Sequence, residues 1–182
     1  MYKPIFNKMS KAFVLLAIPV MLIFAGCSGT KGPEEDVVKI KPGMMELNLK
    51  VNGNSLTITV PDSSIGKLDV VEQSWGATEI KVGKKFQLSI SEGQGDIALK
   101  KSDISGDDVN KFKRYIKEEP NTLIWESGIT EPEFHFYTVE KVGPVFYLIE
   151  NVKDDHFTEK EIQQMVESAK GLRLQETTKP AS

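Results

Sequence analysis

Cysteine is almost missing from this sequence: Cys27 is the only one in 182 residues. No disulfide can form within the chain, so the fold has to rest on an apolar core. Histidine is nearly as scarce, with His135 and His156 alone. A serine nucleophile needs a base in reach, so this scarcity leaves little room for that chemistry, and no Gly-x-Ser-x-Gly turn is present. Long apolar runs are also lacking. The longest extends from Ala12 to Gly26, includes Pro19, and as a helix would rise about 22 Å, short of the roughly 20 residues that cross a bilayer. An excess of basic residues is missing too. Without Lys3, Lys8 and Lys11 of the leader, 20 basic residues face 26 acidic ones, a formal charge of −6. That balance argues against nucleic acid as a partner and against docking on anionic lipid by charge.

What is present at the start is a basic segment, an apolar run and the small residues Ala25 and Gly26, the three parts of a secretory signal spanning residues 1–26. Ile23, Phe24, Ala25, Gly26 and Cys27 resemble the lipobox of bacterial lipoproteins, with Phe24 where that family usually has leucine. The resemblance implies a diacylglyceryl group on the Cys27 sulfur, cleavage between Gly26 and Cys27, and frequent acylation of the new amino group with a palmitate-type chain. One acyl chain holds a protein only reversibly, whereas two or more make a stable anchor. A plain secretory signal and an uncleaved anchor are the alternatives. Ser28 is not the aspartate that, in some didermal bacteria, resembles an inner-membrane retention signal, so the expectation is a cell-envelope lipoprotein of the outer membrane.

Residues 27–43 then read as the lipidated cysteine and a tether rich in Gly, Pro and charge, although Val37, Val38 and Ile40 could add an edge strand. Residues 175–182 read as a frayed tail. Between them, residues 44–174 are expected to form one α+β domain: antiparallel sheet built from hairpins, with two amphipathic helices packed on it. Alternation predicts strands around Leu47–Val51 and Leu56–Val60, joined at Asn52-Gly53, a pair that accepts the positive φ angles of a tight turn. Further strands are predicted at Leu68–Ser74, Thr78–Val82, Lys85–Ser91, Thr122–Glu126, Glu133–Val142 and Val145–Val152. A first helix is predicted between residues 105 and 119, with Val109, Phe112 and Ile116 on one face, Ser105 or Asp107 as its cap and Pro120 as its stop. A second helix follows Thr158, where Thr158 and Glu161 form a capping box, Phe157 and Ile162 a hydrophobic staple, and Gly171 the C-cap. "KVGKKFQL" from Lys81 and "KVGPVFYL" from Lys141 echo each other at an offset of 60. Two similar strand-strand-helix halves, or a chance match at hairpin turns, both account for it.

The search for chemistry yields little. His135 falls on the strand face opposite Phe134 and Phe136, and His156 in a loop beside the capping box. Asp154, Asp155, His156, Glu159 and Glu161 crowd one helix start, and Asp103, Asp107 and Asp108 another, yet neither set has the spacing of a twelve-residue calcium loop. Carboxylates also gather at helix N-termini because of the dipole. Gly93, Gly95 and Ala98 in "GQGDIA" fit a bare dinucleotide pattern without the strand-turn-helix context it needs, and read as a turn. Trp75, Trp125, Phe134, Phe136, Tyr137, Phe146 and Tyr147 read mainly as core, with an apolar pocket or partner surface as the alternative. No cofactor, metal or catalytic residue is expected.

The terminal stretch "FYLIENVKDDHFTEKEIQQMVESAKGLRL" faintly resembles the PsbP-like fold, an antiparallel sheet covered by helices. That resemblance implies an accessory, non-enzymatic role and assigns no residue. The expectation is therefore a non-catalytic binding or accessory module that meets the membrane through the lipid on Cys27 and takes an envelope protein or small ligand as its partner. The alternative is a hydrolase or sugar-acting enzyme working through paired carboxylates.

Overall fold

The computed structural model describes residues 40–152 and 155–176. The signal, Cys27, the tether up to residue 39, Asp154 and the tail from residue 177 lie outside the described residues. Ten strands and two helices follow in the order β1 (Met44–Val51), β2 (Asn54–Pro61), β3 (Leu68–Glu72), β4 (Thr78–Val82), β5 (Phe86–Glu92), α1 (Ile97–Gly106), β6 (Arg114–Glu119), β7 (Thr122–Ser127), β8 (Glu133–Val142), β9 (Val145–Asn151), α2 (Glu159–Lys170) and β10 (Arg173–Leu174). Seven of the strands form one antiparallel sheet in the order β3-β4-β5-β9-β8-β7-β6, and β1-β2-β10 form a second. The α+β class with antiparallel hairpins is what the alternating pattern predicts.

Asn52 and Gly53 adopt φ of +48° and +84° between β1 and β2, the left-handed pair that a two-residue hairpin requires. Alternation along β7 and β8 then separates two apolar cores. Ile124 and Phe136 join Leu56, Ile58, Phe86, Tyr147, Ile149, Ile162 and Met165 in the main core, so α2 and the β1-β2 hairpin cover that face of the large sheet. Leu123, Trp125 and Tyr137 point the other way and pack with Ile104 of α1 in a smaller core. The capping box of α2 is present, with Thr158 N–H donating to Glu161 at 2.8 Å. Its face Ile162, Met165, Val166 and Ala169 is buried as the helical spacing demands.

The first helix lies elsewhere than the sequence predicts. α1 ends at Gly106, and residues 114–119 are strand β6. Asp107 does accept backbone N–H bonds, from Val109 and Asn110 at 2.9 Å each, but these close a turn after α1 and do not start a helix. Val109 is exposed, Phe112 packs on Tyr115 in the smaller core, and Ile116 is the extra residue of a bulge between Tyr115 and Lys117. A bulge after an irregular segment thus imitates helical spacing. Pro120 starts the β6-β7 turn and terminates no helix. The true helix begins in "GQGDIA", the segment read as a turn. Asp96 caps it, accepting from Ala98 and Leu99 N–H at 2.7 and 3.1 Å. Its apolar residues Ile97, Ala98 and Leu99 are consecutive, and only Ile104 is buried, so no helical period marks it.

The two halves match in outline and differ in detail. β3-β4-β5 and β7-β8-β9 are each a three-strand meander followed by a helix, and they meet at the antiparallel β5-β9 pair. The echoed turns differ in length: Val82 pairs Phe86 across three residues, Val142 pairs Val145 across two. That one-residue difference reverses the side-chain phase. Phe86 is fully buried, whereas its echo Phe146 is 38% exposed.

Candidate functional site

A polar concavity lies beneath α1, on the smaller core's side of the large sheet. Lys100, Asp103, Ile104 and Asp107 come from α1 and its C-cap, Asn110 from the following loop, and Trp125 and His135 from paired positions on β7 and β8. The cross-strand register brings the Trp125 and His135 rings together, stacked with centroids 5.3 Å apart. Lys100 Nζ sits 4.6 Å from the Tyr137 ring centroid and 2.6 Å from Glu150, so the ammonium is held between a π face and a carboxylate. The cavity measures about 70 Å³.

His135 is the only described imidazole with a serine within hydrogen-bond distance, as Nε2 lies 2.8 Å from Ser127 Oγ. Glu133 Oε2 lies 3.9 Å from the same nitrogen, and its Oε1 is 3.1 Å from Nδ1 of the exposed His156. A nucleophile has to be met by its substrate, and Ser127 has no exposed surface. The Ser127 contact therefore orients the imidazole within the sheet. Asn151 supports the same arrangement from β9, accepting from Phe136 N–H at 2.9 Å and placing Nδ2 3.5 Å from His135 Nδ1.

The acidic groups singled out in the sequence part company. Asp103 and Asp107 share the cavity, but Asp107 Oδ2 is also engaged by Asn110 Nδ2 at 3.1 Å. Asp108 points outward to Lys111 at 2.8 Å. At the start of α2, Asp155 bonds Gln87, Glu159 bonds Gln163 and Glu161 closes the capping box. Among the described residues no three His, Cys, Asp or Glu side chains are grouped to hold a metal. The aromatic set divides as well: Phe136, Tyr137, Tyr147 and Trp125 are core, Phe134 packs on its margin, and Trp75 is 65% exposed at the β3-β4 turn. Lys100 and Asn110 carried no signal in the sequence, because only the packing of α1 on the sheet brings them to His135.

Three wider concavities are open grooves. One, of about 340 Å³, lies between Ile40–Met44 and the α2 residues Gln164, Glu167 and Ser168, where the described chain begins. Another, of about 370 Å³, separates Ile116, Lys117 and Ile124 from Gln163, Val166 and Lys170. A third, of about 340 Å³, lies between β1 and β3. No helix among the described residues is long and apolar enough to cross a membrane. Comparison of the chain with protein-family models, with curated proteins and with solved structures found no match.

Proposed function

We propose that the protein is a lipid-anchored component of a bacterial cell envelope, in the outer membrane where the cell has one, and that its domain binds a partner or small ligand without turning it over. The observation that carries this reading is the lipobox-like Ile23–Cys27 at the end of a charge-free apolar run, followed by a tether that leads into β1 at Met44. An accessory role is also what the PsbP-like resemblance of the terminal residues implies. The carboxylate-enzyme alternative draws on Asp103 and Asp107 in the α1 cavity. Its volume of about 70 Å³ compares poorly with the roughly 300–1,000 Å³ of ligand pockets, so binding has the better support.

Crosslinking of the tagged protein in intact envelopes, with Cys27→Ala as the unanchored control, tests the reading. A stoichiometric partner recovered only with the anchored form is the expected result. Recovery of the protein alone in both forms, with loss of a hydrolytic activity in Asp103→Asn, would replace it with the enzyme.

A further inference from the structure

Apolar burial holds α1 to the large sheet only lightly. Of its ten residues Ile104 alone is buried, with Ile97 packed on the margin of the smaller core. Charged groups supply further attachment: Lys100 bonds Glu150 of β9 at 2.6 Å, and Lys101 bonds Glu118 of β6. The last two turns and the C-cap stand over the cavity, where Asp103 and Asp107 share the lining with His135 of β8. Imidazole is the only one of these groups that ordinarily changes charge between pH 5 and 8.

The charges that face the ring come from every element around it. From α1 and its C-cap come Asp103, Asp107 and Lys100. Asp107 is fixed in place, accepting at Oδ1 from Val109 and Asn110 N–H at 2.9 Å each and at Oδ2 from Asn110 Nδ2 at 3.1 Å. On β8, Glu133 Oε2 stands 3.9 Å from His135 Nε2, and the exposed His156 reaches only the other oxygen of that carboxylate. Lys100 is the one ammonium in the lining, and Glu150 offsets its charge. Ser127 of β7 and Asn151 of β9 do not titrate in this range, and burial keeps Tyr137 neutral by raising its pKa. The carbonyl end of α1 adds a partial negative charge.

We propose that His135 is a proton-operated latch for α1: charged, it holds the C-terminal end of the helix to the sheet through Asp103 and Asp107, and neutral, it lets that end loosen over Trp125. The lipid anchor plays no part in this inference. Three carboxylates and a helix C-terminus face the ring against one offset ammonium, so the docked helix favours the imidazolium even though burial opposes it. Lifting the helix end takes Asp103 and Asp107 away and leaves Glu133 behind. Proton binding and docking therefore strengthen each other. The contribution is full below the titration of the undocked ring and is lost as pH rises through that of the docked one. Each pH unit by which docking displaces the titration corresponds to about tenfold in the docking equilibrium.

His135 and His156 are the only histidines, so His156→Gln leaves one imidazole to follow by NMR in the full chain in detergent. In that background, the protection of the α1 amides from Lys101 to Gly106, corrected for the intrinsic pH dependence of exchange, is expected to rise about tenfold between roughly pH 8 and pH 5.5. The carboxylates stay ionised over that range. Adding Asp107→Asn should lower the titration midpoint of His135 and flatten the rise in protection. Asparagine keeps an oxygen for the Val109 and Asn110 N–H groups, so the turn after α1 is retained. His135→Gln should abolish the dependence, and if that variant does not fold, the Asp107→Asn comparison still decides. Protection that is constant across the range, or that falls on acidification, would overturn the proposal. So would a His135 midpoint that Asp107→Asn leaves in place, or a rise that survives in His135→Gln.

Discussion

Tyr147 shows how much a single buried atom can cost. Its ring is fully buried in the main core, and its hydroxyl has no hydrogen-bond partner among the described residues. Burial, with a smaller contribution from the Glu92 charge, raises its pKa, so the group stays neutral at physiological pH. A buried hydroxyl left unpaired forfeits about 1–3 kcal/mol. Tyr147→Phe keeps the packing and removes the unpaired group, and is expected to raise stability by about 1 kcal/mol in urea unfolding. A loss of similar size would instead show that the hydroxyl is satisfied by a bound water. The sequence reads Tyr147 as core together with its neighbour Phe146, but the lack of a partner depends on what other strands place around the ring tip. At His135 the same limit applies, since its face was legible from Phe134 and Phe136 while Trp125, Ser127 and Asp107 came to it only through pairing and packing.

Turns and edges decide the elements. Gly83 has φ of +57°, and a Cβ there would collide with the carbonyl oxygen of Ile65, whereas at Gly143, with φ of +61°, the nearest atom is a movable Leu174 methyl at 3.2 Å. Both alanine variants bear left-handed strain, but only Gly83→Ala also meets rigid backbone. We expect about 3 kcal/mol of destabilisation for Gly83→Ala against about 1 for Gly143→Ala, read from denaturation midpoints. The echoed Lys-Val-Gly motif is therefore unequal in its structural demand. Glu119 at the end of β6 binds Lys117 at 2.7 Å and also Lys170 of α2. These bonds, that to Lys117 first, hold its pKa down to about 2 from 4.5. A depressed carboxylate contributes stability that is present above the unfolded pKa and is lost as pH falls, here from about 4.5 toward 2. The carboxylate is solvent-accessible, so the effect is modest. Glu119→Gln should flatten the stability profile across that window, and an unchanged profile would refute the link. Among the helices, α2 was legible because cap, staple and apolar face agree. α1 was not, because its apolar residues are consecutive and the competing helical spacing downstream arose from a bulge.

For the whole molecule, two apolar cores on opposite faces of one sheet hold the described residues in a single unit without a disulfide. In the proposed lipoprotein reading, Cys27 fixes where the domain is held. Cys27→Ala is expected to abolish labelling by radioactive palmitate and to release the domain from the membrane fraction, since hydrocarbon burial at about 0.8 kcal/mol per CH₂ is then gone. Persistent membrane association without label would point to an uncleaved signal helix. If residues 1–26 are removed as proposed, the remaining acidic balance offers no electrostatic substitute, because anionic head groups repel it.

The sequence by itself determined the strand periodicity, the Asn52-Gly53 hairpin and the capped final helix. It also set the expectation of a lipid anchor. These are local matters: each is written within about ten residues, through alternation, turn geometry or capping. Tertiary structure alone decided that β5 pairs with β9, that α1 rather than the 109–116 segment is helical, and that β3 and β6 are the outer strands of the large sheet. Such outcomes depend on contacts between residues far apart in the chain, and local propensity yields to them because burial of the two sheet faces supplies most of the free energy.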